Sequence, residues 1–146
     1  DVFEELMEWS ERCAYGEYEV RVAIERYGLA RCEGRHPYDL SGGQQQMLAL
    51  AKLLLCKTDL LMLDEPTKGL DPAFCAQVHD VLRAAADRGV TVVLVTHDLD
   101  FAYATADVVS MVFDGQVVCT EAVADFFENN LIYRANDSSR LFGALS

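Results

Sequence analysis

Two short apolar runs in this sequence end in side chains that could carry out acid–base or metal chemistry. The first run is followed directly by Asp64 and Glu65. The second is followed, after a single threonine, by His97 and Asp98. Carboxylate oxygens suit a hard cation such as Mg²⁺, and a second carboxylate or an imidazole can accept a proton or hold a water molecule. Because either pair alone is also typical of a helix cap or a solvated turn, both are candidates that need further support.

The segment DLSGGQQQ adds another kind of chemistry, the recognition of a phosphate group. Helical spacing predicts a helix over residues 43–56, with Ser41 as its N-cap. The first amides of a helix lie at the positive end of its dipole, and Gly42 and Gly43 permit close approach of the backbone. Ser41 and Gln44 add polar side chains. The usual phosphate cradle, G-x-x-x-x-G-K-[ST], does not occur in the chain, so the sequence predicts a phosphate receptor without its own cradle.

Apolar periodicity predicts the helices that must position these groups. Helices are expected over residues 2–9, 17–28 and 43–56. In the third helix, apolar residues recur at intervals of three and four, which gives it one buried face: Met47, Leu50, Ala51 and Leu54.

Strands and helices alternate in the second half of the chain. The apolar runs at residues 60–63 and 92–95 are too short for helices and do not alternate, which is typical of strands covered on both faces. Asp71 and Asp98 each cap a following helix, and an Asp-Gly turn joins two final strands. This order predicts an α/β fold with a mainly parallel sheet, in which ligands bind at the carboxyl ends of the strands.

Composition excludes several classes of function. The formal net charge of -12 argues against nonspecific binding to nucleic acid or to an anionic membrane surface. No apolar stretch approaches the roughly 20 residues that cross a bilayer, and a secretory signal pattern is lacking, so a cytoplasmic location is expected. The five cysteines are scattered without a C-x-x-C pair, which predicts reduced thiols and neither a disulfide framework nor a zinc site.

Three motifs in order resemble those of the ATP-binding cassette (ABC) ATPases. LSGGQ at residues 40–44 resembles the signature motif, LLMLDEPTKGLD at residues 60–71 the Walker B motif and D-loop, and VTHD at residues 95–98 the switch histidine. LDEPTKGLDP and the tail after the hairpin look most like the energy-coupling-factor and cobalt-type importers. The resemblance implies a three-layer, mainly parallel sheet of the P-loop NTPase type, incomplete here and preceded by a small helical subdomain.

The resemblance also implies a division of the chain. Residues 1–39 match a partial helical subdomain, residues 40–120 the signature, Walker B, D-loop and switch-histidine part of the ATPase core, and residues 121–146 a C-terminal helical tail. In a complete cassette the phosphate loop would precede residue 1, so the chain is expected to be the C-terminal portion of the nucleotide-binding domain. The family's strand order implies that the strand ending at Asp64 pairs beside the strand that leads to His97.

Roles for single residues follow from the same resemblance. Asp64 matches the Mg²⁺-associated aspartate, Glu65 the catalytic glutamate that orients or deprotonates water, and His97 the switch residue near the γ-phosphate. Asp71 matches the aspartate that crosses the dimer interface. The signature residues match a surface that closes over ATP held by the opposite protomer: Ser41, Gly42, Gly43 and Gln44.

The implied function is that of the ATP-binding and ATP-hydrolysing subunit of an ABC membrane transporter, which powers import of a metal ion or a vitamin. ATP and Mg²⁺ are the implied cofactors. A second ABC ATPase protomer and a transmembrane subunit are the implied partners, with the protein at the inner face of the cell membrane and no nucleic acid bound. We expect the isolated chain to be inactive. The alternative is a noncatalytic, signature-bearing module that completes a partner's ATP site in trans.

Overall fold

The computed structural model describes residues 1–13 and 15–129, which form two compact units. The first unit is Asp1–Val95 and the second begins at Thr96. The first contains helices α1 (Val2–Arg12), α2 (Glu17–Arg26), α3 (Gly42–Leu55) and α4 (Pro72–Asp87), and strands β1 (Leu60–Asp64) and β2 (Thr91–Val95). The second contains α5 (Leu99–Thr105), β3 (Val108–Phe113), β4 (Gln116–Ala122) and α6 (Val123–Asn129).

Helix α3 lies at the centre of the first unit and packs against α1, α2 and α4. Three of the four residues of its predicted buried face are buried, with Met47, Leu50 and Ala51 at most 2% exposed, whereas Leu54 is only half-buried. Leu6 of α1 and Val20 of α2 are fully buried in the same unit. Burial of these side chains removes apolar surface from water, which is the main source of stability for a helical layer of this kind. The helix that carries the signature is therefore held along its length.

Strands β1 and β2 form a parallel pair in which Asp64 lies opposite Val95, and this pairing was expected. Coverage of both faces, in contrast, was a wrong expectation. Leu61 is 3% exposed, whereas its neighbour Met62, on the other face, is 70% exposed. Helix α4 packs on this pair, and successive side chains of a strand point to opposite faces, so a single helical layer covers only one of them.

The second unit combines a short capped helix with a hairpin. The amide of Phe101 donates to Oδ1 of Asp98 at 3.0 Å, so Asp98 caps α5 as expected. Strands β3 and β4 pair in antiparallel fashion around Asp114 and Gly115, whose φ angles of 47° and 73° fit a two-residue hairpin turn. Helix α6 packs against this hairpin. It occupies residues 123–129 of the predicted C-terminal tail. The remainder of that tail, residues 130–146, lies outside the described residues.

One pair of cysteines contradicts the expectation of reduced thiols throughout. Cys13 and Cys56 form a disulfide, with their Cα atoms 5.1 Å apart. They are 43 residues apart in sequence and meet because α1 packs against α3 and both helices end on the same side of the first unit. Sequence spacing alone contains no signal for such a contact. The other three cysteines form no disulfide within the described part of the chain.

Candidate functional site

The signature residues form the start of α3 through a reciprocal cap. The amide of Gln44 donates to Oγ of Ser41 at 3.3 Å, and the amide of Ser41 donates to Oε1 of Gln44 at 3.0 Å. Gln45, which sequence reasoning did not single out, donates from Nε2 to the carbonyl of Leu40 at 3.1 Å. Helix geometry leaves the first backbone amides of α3, including that of Gly42, without an acceptor within the helix. The cap thus holds the motif in shape while backbone donors remain at its tip.

The starts of α3 and α4 meet at Gly43. A Cβ atom on Gly43 would lie 2.4–2.6 Å from three ring carbons of Phe74, so the ring occupies the place that a side chain would take. The amide of Phe74 donates to Oδ1 of Asp71 at 3.0 Å, which makes Asp71 the N-cap of α4. The structure therefore brings the signature and Asp71 together through Phe74. Sequence reasoning placed Phe74 only among the apolar positions of its helix, because its partner lies on another element.

This contact leads to a prediction for the two signature glycines. Gly43→Ala is expected to destabilise the first unit by about 1–3 kcal/mol, because the ring of Phe74 must leave its position to admit a methyl group. Gly42→Ala is the matched control: a Cβ there meets nothing within 4 Å, so no loss of stability is expected. Urea unfolding measures both.

A double-variant cycle tests whether the ring of Phe74 causes the loss of stability in Gly43→Ala. In a Phe74→Ala background the cost of Gly43→Ala should shrink, because the ring that it displaces is gone. An equal cost in both backgrounds would show that the ring is not the reason for the glycine.

Asp64 and Glu65 lie at the carboxyl end of β1. Asp64 is the last strand residue and is exposed, and the amide of Glu65 donates to the carbonyl of Val95 at 2.8 Å. Glu65 has a φ of 47°, in the left-handed region that costs a residue with a side chain about 1–2 kcal/mol. The chain then turns at once, since the amide of Lys68 donates to the carbonyl of Glu65 at 3.1 Å. Backbone strain of this kind is concentrated at functional positions.

The chemistry of Asp64 fits a magnesium ion of the kind that accompanies a nucleotide. No group of three or more His, Cys, Asp or Glu side chains within residues 1–13 and 15–129 forms a metal cage. Mg²⁺ at phosphate sites does not need one, because one or two carboxylates act together with phosphate oxygens and water. The exposed carboxylate of Asp64 can serve as such a metal ligand.

His97 and Asp98 belong to the second unit, whereas the other candidates belong to the first. His97 is exposed and lies in the short segment that precedes α5. The segment is shaped by a hydrogen bond from the amide of Asp98 to Oγ1 of Thr96 at 3.0 Å. Asp98 is thus occupied in capping α5, which leaves His97 as the candidate for chemistry in this segment.

Sequence comparison places the chain among known proteins. A family model described as ABC transporter matches residues 2–68. A putative ABC transporter ATP-binding protein of Bacillus cereus is 42% identical over 135 residues, which cover 90% of this chain and 24% of that protein. The chain belongs to the ABC transporter ATPase family. The glutamate transport ATP-binding protein GluA of Corynebacterium efficiens is 40% identical over 114 residues, 78% of this ABC chain and 47% of the relative.

Solved structures confirm the predicted fold class, the P-loop NTPase type found in ABC ATPases. CbiO1 from Clostridium perfringens, described as part of the ABC transporter complex CbiONQ, matches with a TM-score of 0.76 and 26% identity, over 90% of this chain and 55% of that one. A dimeric ATP-binding cassette in a post-hydrolysis state with ADP and Pi matches with a TM-score of 0.65 and 29% identity, over 73% of this chain and 47% of that one. The ABC chain thus spans a quarter to about half of the two curated relatives above.

Proposed function

We propose that this chain is the signature-bearing and Walker B-bearing part of an ATP-hydrolysing subunit of an ABC membrane transporter. The observation that carries the proposal is the contact of Gly43 with Phe74, which joins the start of α3 to the Asp71 cap of α4. Two helix starts side by side offer backbone donors and a positive dipole end to an anionic group. ATP, with its phosphates, is the ligand that this surface and the family together favour.

The residues at the end of β1 would carry the hydrolytic chemistry. Glu65 orients the attacking water and accepts its proton, and Asp64 holds Mg²⁺ through oxygen. The ion supplies charge neutralisation for the phosphates when it is bound. His97 would hydrogen-bond the terminal phosphate. The presence of Glu65 and His97 favours this catalytic function over a noncatalytic module, since a module that holds no nucleotide has no use for a base or for a contact to the γ-phosphate.

A second protomer would complete the ATP site in trans. The signature residues 41–44 would close over ATP that the opposite protomer's phosphate loop holds, and Asp71 would cross the interface. One solved relative is a dimer with ADP and Pi, and CbiO1 is part of a transporter complex, which supports an ATPase dimer on a membrane partner. We infer a position at the inner face of the membrane through that partner. Among the described helices none is long and apolar enough to cross a bilayer itself.

The division of the chain and the transported solute are parts of the same proposal. Residues 1–39 would form the helical subdomain, residues 40–120 the core, and residues 121–146 the tail. The motif LDEPTKGLDP and the similarity to CbiO1 support import of a metal ion or a vitamin. The similarity to GluA, a glutamate transport ATP-binding protein, supports glutamate as the competing solute. Uptake of labelled cobalt, vitamin and glutamate by cells with and without the complete transporter distinguishes these solutes.

The role of the signature is tested by a bulky cation at its tip. In the complete protein, Ser41→Arg is expected to abolish ATP-dependent dimerisation, because the side chain fills the space into which a phosphate docks. Light scattering with and without Mg-ATP measures the dimer. The control is Ala49→Arg, an exposed position on the same helix away from its start. Unchanged dimerisation of Ser41→Arg would contradict the trans role.

The isolated chain of 146 residues is expected to bind Mg-ATP weakly and to hydrolyse it negligibly. The lysine and amides of the phosphate cradle normally hold the β- and γ-phosphates, and this stretch of sequence contains no such motif. Isothermal titration with Mg-ATP measures the affinity. A dissociation constant in the low micromolar range would show that residues in this chain hold the nucleotide by themselves.

A further inference from the structure

The disulfide between Cys13 and Cys56 joins the ends of two helices. Cys13 is the C-cap of α1 and Cys56 is the C-cap of α3. Their Cα separation of 5.1 Å lies within the range that disulfides adopt, so the backbone accommodates the bond where it stands. Both residues are half-buried and not enclosed in the core. The bond therefore fastens the end of α3 opposite to the signature.

The surroundings of the sulfur atoms favour thiol chemistry. The indole N–H of Trp9 donates to Sγ of Cys56 at 3.0 Å and to the carbonyl of Lys52 at 2.8 Å. A hydrogen-bond donor to sulfur stabilises the thiolate of Cys56, which is the reactive form of cysteine.

Small molecules have a route to this region. Trp9, which contacts Sγ of Cys56, lines a cleft of about 740 Å³ between α1 and α3 together with Arg12 and Lys52, although neither cysteine lines it. A peptide-sized thiol or disulfide fits a space of that volume. An ion pair between Lys52 and Glu5 also joins α3 to α1. Cys13 and Cys56 are themselves half-buried, so part of each residue is open to solvent.

The other cysteines indicate that the bond does not belong to a structural framework. Cys32 is buried, its Sγ donates to the carbonyl of Leu29 at 3.2 Å, and burial raises the pKa of its thiol. Cys75 and Cys119 are half-buried and form no disulfide within the described residues. In a reducing cytosol, where the proposed function places this chain, a disulfide is usually transient, catalytic or redox-sensing.

We propose that Cys13 and Cys56 are a reversible thiol–disulfide pair, exchanged by small thiols and disulfides, that locks the end of the signature-bearing helix α3 against α1. In the oxidising direction one protein thiolate attacks a small disulfide such as oxidised glutathione and releases one glutathione. The second protein thiolate attacks the mixed disulfide, releases the second glutathione and closes the bond. Two electrons pass from the protein to the small disulfide, and the two protons of the protein thiols end on the released glutathiones.

A redox titration of the native protein tests the proposal. The protein is equilibrated in buffers with different ratios of reduced to oxidised glutathione, and exchange is stopped with acid. The protein is then unfolded and alkylated, and its mass is measured by mass spectrometry. Five alkylated cysteines are expected at the reducing end, and three at the oxidising end after Cys13 and Cys56 are paired. Trp9 is the only tryptophan of the chain and touches Sγ of Cys56, so its fluorescence should change with the same midpoint.

Variants assign the signal to the pair. Cys13→Ser and Cys56→Ser are each expected to abolish the two-cysteine change in mass and the fluorescence change. Cys75→Ser is the matched control and should keep both, with one fewer alkylated site. Because the titration of the unmodified protein is decisive alone, poor folding of a variant does not obscure the result.

Hydrogen exchange tests the lock on α3. On reduction, the amides of the last turn of α3 should exchange severalfold faster, while those of α4 should not change. Three outcomes would overturn the proposal: five reactive thiols at every glutathione ratio, a bond that reducing glutathione does not open in the native protein, or exchange at the end of α3 that is equal in both states.

Discussion

Glu65→Gln in a complete cassette that contains this chain is expected to lower ATP turnover by about 10²- to 10⁴-fold while leaving ATP binding intact. Glutamine keeps the shape of the side chain and can hydrogen-bond a water molecule, but it cannot accept a proton from it. The position has a left-handed backbone with a φ of 47°, and the substitution replaces one unbranched side chain by another of the same length. A loss of folding is therefore not expected to accompany the loss of turnover.

Steady-state hydrolysis and nucleotide binding, measured on the same preparation, separate the two effects. Glu25→Gln is the control, because Glu25 is an exposed carboxylate on α2 away from the strand ends and should leave turnover unchanged. The thermal midpoint of both variants should match that of the unmodified protein. If Glu65→Gln hydrolyses ATP at the normal rate, Glu65 is not the base and the proposed mechanism is wrong.

Leu50→Ala is expected to destabilise the first unit by about 2–5 kcal/mol. Leu50 is 1% exposed and lies on the buried stripe of α3, which packs against three other helices. Alanine removes most of its side chain and leaves a cavity that close-packed neighbours can only partly fill. Urea unfolding followed by the fluorescence of Trp9 reports the change, since Trp9 is hydrogen-bonded to the carbonyl of Lys52 on the same helix.

The matched control is Leu53→Ala, three residues further along α3. Leu53 is 40% exposed, so the same chemical change should cost less than about 1 kcal/mol. Alanine has a slightly higher helix propensity than leucine, which keeps the helical contribution similar in both variants. Equal losses at the two positions would mean that the helix itself, and not its packing, determines the stability of this unit.

Local structure could be predicted from the sequence because its signals act over short distances. The caps at Ser41, Asp71 and Asp98 are all confirmed, and each rests on a hydrogen bond that spans only three residues. The hairpin turn at Asp114 and Gly115 is local in the same sense. The fold class followed from the order of strands and helices together with the family motifs. The roles assigned to the site residues, in contrast, stay predictions that the variants above test.

Only the tertiary structure decided which distant residues meet. The ring of Phe74 over Gly43 and the bond between Cys13 and Cys56 each join residues on different helices, and no periodicity or spacing within one segment encodes such pairs. The same holds for the open face of β1 and β2, marked by the exposed Met62. A run of apolar residues specifies a strand that can be buried on both faces, but which faces are covered depends on the layers that pack against it, and packing is a property of the assembled chain.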